Sequence, residues 1–141
     1  MKAIISSLFV CSLLFAPMLA CAGIAVIAGP SLPVAALTAD QVGQVFLGRL
    51  KTLPDGSAIS AVEQQEGSAT REEFLDRVLG KNQQQLRSYW TRMVFTGKGQ
   101  PPRTVGDDAE VIRAVLATPG TIGYVDSGAV TARVKVLYRV D

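Results

Sequence analysis

The chain alternates short apolar runs with amphipathic segments. Ile24 to Ala28 is a continuous apolar run closed by Gly29-Pro30, the pattern of a buried strand. Pro30, Ser31 and Pro33 make the next segment an extended connector. Thr38-x-x-Gln41 then forms a capping box that opens a helix, with Val42, Val45 and Phe46 on its apolar face and Gly48 as its stop. Pro54-Asp55-Gly56-Ser57 is a turn, and Ala58 to Val62 alternates as a strand. Glu72 to Leu79 has helical spacing, placing Phe74, Leu75, Val78 and Leu79 on one face before Gly80. Asn82 caps a further helix from Gln83 to about Phe95, and Trp90 falls on its apolar stripe as a core anchor. Asp107 or Asp108 opens a helix carrying Val111, Ile112, Val115 and Leu116, ended by Pro119-Gly120. Ile122 to Val125 and Val134 to Val140 read as strands. Strands alternating with helices predict a three-layer α/β domain.

The N-terminus does not fit that pattern. Lys2, the apolar and small residues from Ala3 to Ala16, Pro17 and Ala20-Cys21-Ala22 have the layout of a secretory signal cut after Ala22. The expected division is a signal peptide over 1–22 and an α/β domain over 23–141, with a periplasmic location. Met18-Leu19-Ala20-Cys21 also resembles a lipoprotein box that would acylate Cys21, and an uncleaved anchor is the third reading. Both cysteines, Cys11 and Cys21, lie in this segment, so the domain is expected to fold without a disulfide. Histidine is absent, which excludes Ser-His triads, His-based proton transfer and His metal ligands. The 14 basic and 12 acidic side chains are nearly balanced and form no basic block, so nucleic acid is not an expected partner. No metal or cofactor is expected.

Candidate chemistry concentrates in Gly67-Ser68-Ala69-Thr70-Arg71, between a strand and a helix. A strand feeding a helix through small residues leaves free N–H groups at the positive end of the helix dipole, a ready anion site. Gly67, Ser68, Ala69 and Thr70 supply the amides, Ser68 and Thr70 add hydroxyls, and Arg71 adds charge. The competing reading is an ordinary capping box, Thr70-x-x-Glu73. Asp107-Asp108 is no carboxylate pair, because consecutive residues point to different faces. Lys98 is a secondary candidate for an anion contact, and Tyr124 and Asp126, at the C-terminal end of a strand, stand where α/β sheets often place functional groups.

Several stretches, taken in order, resemble the phosphate-type substrate-binding proteins of ABC importers. They include Leu37-Thr38-Ala39-Asp40-Gln41 with Val45-Phe46-Leu47-Gly48, Leu53-Pro54-Asp55-Gly56, and Gly67-Ser68-Ala69-Thr70-Arg71 with Phe74. Ser88-Tyr89-Trp90, Phe95-Thr96-Gly97-Lys98-Gly99-Gln100-Pro101-Pro102 and Pro119-Gly120-Thr121-Ile122-Gly123-Tyr124-Val125 continue the series. The resemblance implies a single lobe of a type II periplasmic binding protein-like fold. It further implies a non-enzymatic solute-binding module for inorganic phosphate or a similar small anion, partnered by an ABC permease or by a second copy of itself. In that family an Arg followed four residues later by Ser-Gly-Thr, with Gly before the Ser, grips phosphate. Gly67, Ser68 and Thr70 match, whereas Ala69 stands at the middle Gly and Gln64 at the Arg. The alternative is an envelope interaction or structural protein that kept the lobe and lost the ligand.

Overall fold

A computed structural model describes residues 23–141; the expected signal segment, with Cys11 and Cys21, lies outside the described residues. Five strands form one mixed sheet: β1 (Ile24–Ala28), β2 (Ser60–Gln64), β3 (Arg103–Val105), β4 (Thr121–Asp126) and β5 (Lys135–Val140). Their order is β3-β2-β4-β1-β5. β2 runs parallel to both β3 and β4, while β1 is antiparallel to β4 and β5. The helices are α1 (Ala39–Phe46), α2 (Ala69–Phe74), α3 (Gln83–Phe95) and α4 (Asp108–Ala117).

β1 is buried along its whole length, so its alternate side chains feed two cores. Ile24, Val26 and Ala28 face a layer built from α1, α2 and α3. Ala25 and Ile27 face α4, with Val111, Ala114 and Val115. This is the expected three-layer α/β arrangement. The first core centres on an aromatic group: Phe74 stacks on Tyr124 at 3.9 Å, and Phe46 meets Phe74 edge-on at 4.7 Å. In the second, Gly123 lets α4 approach the sheet, since a Cβ there would lie 2.5 Å from Val111 Cγ1. Among the described residues no helix is long and apolar enough to cross a membrane.

The capping box at Thr38 forms as the sequence predicts, with Gln41 Oε1 accepting from the Thr38 amide at 2.9 Å and Thr38 Oγ1 accepting from the Gln41 amide at 3.2 Å. Asn82 and Asp107 cap α3 and α4, and Trp90 is buried. Three features differ from expectation. β2 is displaced from Ala58–Val62 to Ser60–Gln64, because Ala58 bridges Thr52 and the ladder with β4 begins at Ser60. It therefore buries the polar Glu63 and Gln64, which alternation alone reads as outside the strand.

β3 was absent from the sequence pattern. Three residues between Pro102 and Gly106 are too few to alternate, and their pairing with β2 defines them. The Thr70–Glu73 capping box does not form. Gly67, at φ +89°, turns the chain so that Ser68 is extended and its Oγ accepts from the Arg71 amide at 3.3 Å. The helix thus starts at Ala69 and continues from α2 through a π-helical turn over Leu75–Leu79 to Gly80, at φ +63°.

Phe74 is fully buried between two other rings. Phe74→Ala is expected to cost about 3–5 kcal/mol, read as a lowered urea midpoint at unchanged slope.

Candidate functional site

The three parallel strands β3, β2 and β4 end on the same edge of the sheet. β2 leads into α2, which packs on the aromatic core through Phe74. Its neighbour β3 leads into α4, which packs on the opposite face through Val111 and Val115. Adjacent strands whose helices leave to opposite faces open a crevice beyond their carboxyl ends, where open α/β sheets bind ligands. The Gly67–Thr70 turn and the start of α4 form its two sides.

Gln64, at the end of β2, spans this crevice. Its Nε2 donates to Asp108 Oδ1 at 2.6 Å, and its Oε1 accepts from Ser68 Oγ at 2.6 Å. Asp108 Oδ1 also accepts from the Asp126 amide at 3.3 Å, and the Tyr124 hydroxyl accepts from the Gln64 amide at 3.1 Å. Burial, and then the charge of Glu63, push the Tyr124 hydroxyl pKa well above its usual range, so it stays protonated.

The expected site residues divide into two groups. Gly67, Ser68, Ala69 and Thr70 are brought together at the crevice, with Gly67 and Ala69 exposed and Ser68 and Thr70 half-buried. The Ala69 and Thr70 amides open the helix, so no intrahelical carbonyl faces them. The single Ser68 hydroxyl proton is committed to Gln64.

Arg71 turns away into the interior and is 5% exposed. Its Nη1 donates to Glu63 Oε2 and to the Gln64 carbonyl, both at 2.8 Å, and its Nε donates to Gln83 Oε1 at 3.1 Å. The charge expected at the turn is spent on Glu63. Desolvation raises the Glu63 pKa above the usual carboxylate value, and Arg71 partly offsets it. Lys98 lies in the exposed loop after α3. Sequence reasoning missed Asp108 as a crevice group and Glu63 as the partner of Arg71. The buried position of Glu63 follows from the displaced β2, and no local pattern signals it. Among the described residues, no group of three or more Cys, Asp or Glu side chains could hold a metal ion.

A raised Glu63 pKa contributes stability that is present below 4.5 and lost as pH rises through the folded value. Arg71→Met removes the group that lowers this pKa. It is expected to cost about 3–5 kcal/mol at neutral pH, with the deficit shrinking as pH falls toward that of an ordinary carboxylate. Denaturant unfolding across pH checks this, and adding Glu63→Gln to Arg71→Met should abolish the pH dependence.

No protein-family model matches the chain, and no curated protein sequence matches it. Solved structures do. An ABC-type phosphate transport receptor from Vibrio cholerae aligns with a TM-score of 0.64 at 18% identity, over 82% of this chain and 45% of its own. A putative phosphate ABC transporter substrate-binding protein from Clostridium perfringens, with bound phosphate, aligns with 0.64 at 23% identity, over 82% and 44%. PstS from Borrelia burgdorferi aligns with 0.62 at 16% identity, over 82% and 46%. The chain therefore has the periplasmic binding protein-like fold of phosphate ABC transporter substrate-binding proteins, spanning less than half of their length, as a short single-lobe form would.

Proposed function

We propose that the chain is a periplasmic, non-enzymatic anion-binding module of the phosphate type, taking inorganic phosphate or a similar small oxyanion at the Gly67–Thr70 turn. The carrying observation is the crevice where two helix starts meet at the carboxyl ends of β2 and β3, in a fold shared with a receptor that holds phosphate. The contacts would be the Gly67, Ala69 and Thr70 amides and the Thr70 hydroxyl, with Ser68 joining if it releases Gln64. Arg71 acts from beneath, holding the end of β2 in place. Work with an ABC permease is part of the same reading and rests on the neighbours' description as transport proteins. With one lobe the ligand stays wet on one side, so each hydrogen bond is worth about 1 kcal/mol and the Kd should lie near 1 mM.

Isothermal titration with phosphate in a phosphate-free buffer tests this. Saturable heat in the millimolar range is expected, and a flat titration would leave the lobe as a structural or interaction module without this ligand. Ala69→Pro sharpens the test. Proline suits the first helical position, and Ser68 already has the extended backbone that precedes it, so the fold should keep its stability within about 0.5 kcal/mol. It removes one amide donor, and phosphate affinity should fall up to about tenfold.

A further inference from the structure

The end of the sheet opposite the crevice carries a cavity of its own. It measures about 580 Å³, the size of a small-molecule site, and lies at the amino ends of β2 and β3. Its walls are apolar, built from Val45, Leu50, Ile59 and the indole of Trp90. Gly48, whose Cβ would lie 3.1 Å from Trp90 Cη2, adds no side chain to the space. The charged residues of the lining are Lys51 and Arg103, both basic and both exposed. The ion pairs among the described residues are Arg71–Glu63, Arg77–Glu73 and Arg87–Glu66, so neither of these two cations is neutralised within them. The strand edge beside them adds a backbone donor. The Ser60 amide donates to the Gly120 carbonyl at 3.0 Å, on the β4 side, so alternation turns the Ala61 amide toward the other edge of β2. The ladder with β3 begins only where Val62 meets Arg103. The Ala61 amide therefore faces an open edge, and Ala61 and Arg103 both line the cavity.

We propose that this cavity binds a small organic monocarboxylate with an apolar body, which packs against Trp90 while its carboxylate meets Lys51, Arg103 and the Ala61 amide. The lining selects this class by exclusion. A neutral hydrocarbon leaves both cations without a partner, an inorganic anion leaves the apolar walls wet, and an organic cation is repelled. A carboxylate suits the planar fork of Arg103, which can donate to both of its oxygens. The cavity lies at the opposite end of the sheet from the Gly67–Thr70 turn, so this inference stands apart from the phosphate reading and survives its failure.

Trp90 is the single tryptophan of the chain, so its emission reports on this cavity directly. Titration of the purified protein with phenylpropionate should change that emission saturably, with a Kd of about 0.1–1 mM. Phenylpropanol, which has the same body without the charge, should bind at least about fivefold more weakly. Lys51→Glu combined with Arg103→Glu should weaken phenylpropionate at least about tenfold and leave phenylpropanol unchanged. Both side chains are exposed, so the double variant should melt at the temperature of the parent. The absence of any saturable change up to about 10 mM phenylpropionate overturns the inference. Equal affinity for the acid and the alcohol also overturns it, as does a double variant that binds the acid as tightly as the parent.

Discussion

The buried contact between Arg71 and Glu63 sets the geometry of everything around the crevice. Each group alone would be an uncompensated charge in the interior, where removal from water costs several kcal/mol. Paired at 2.8 Å, they settle the direction of both side chains. Arg71 also donates to the Gln64 carbonyl and to Gln83, so a single guanidinium ties the end of β2 to α2 and α3. A buried pair is a poor source of net stability, since apolar residues of the same volume often do as well. Its effect here is positional. The turn beginning at Gly67 is held at a fixed distance from the sheet because Arg71, four residues on, is anchored beneath it.

The same contact decides the electrostatics of the crevice. With Arg71 neutralised by Glu63, no full positive charge from the turn faces solvent, and the cation's place on β2 is taken by neutral Gln64. What remains is the helix starts, each equivalent to about half an elementary charge. The start of α4 is already served by the chain's own anions, with Asp107 as cap and Asp108 in the first turn. The start of α2 has the neutral Ser68 as cap, with Glu72 as the acid of its first turn. An incoming anion therefore finds its open donors at α2, and Asp108 across the crevice opposes a high negative charge. For the proposed anion site this balance predicts weak, wet binding and a preference for anions of low charge or with a proton to share.

Much of the fold was legible in the sequence because its elements carry strong local signals. The apolar β1, the capping boxes and the helical spacing around Trp90 each follow from nearest-neighbour chemistry. Resemblance to a known receptor family added the topology that periodicity cannot reach. What escaped was set by long-range pairing. β3 exists only because Val62, Glu63 and Gln64 need a partner on their open side. Glu63 and Gln64 look like surface residues in sequence and become core residues once β3 covers that edge. The cap moved from Thr70 to Ser68 for a local reason, the left-handed Gly67, which the Thr-x-x-Glu spacing obscured. The inward direction of Arg71 could not be read without the buried Glu63, so the shift of β2 by two residues altered the chemistry of the turn.

The crevice is joined by polar contacts to a cleft of about 590 Å³ between α3 and the Pro101-Pro102 segment. Arg87 holds Glu66, Glu66 accepts from Gln83, and Gln83 accepts from Arg71, which grips Glu63 and the Gln64 carbonyl. Gln64 in turn holds Ser68 and Asp108 across the crevice. An occupant of the cleft that leaves Glu66 and Gln83 in place has no differential effect on the turn, however tightly it sits. One that draws Glu66 away leaves Gln83 free to move and loosens Arg71, and with it the strand end that positions Ser68. Linkage then requires the reverse effect to be of equal size. The outer members of this chain are exposed and screened, with Glu66 and Arg87 more than half accessible, so their contribution is a fraction of a kcal/mol. The inner members are buried and resist displacement. The two surfaces are thus wired together physically but only weakly coupled, and each can be occupied almost independently of the other.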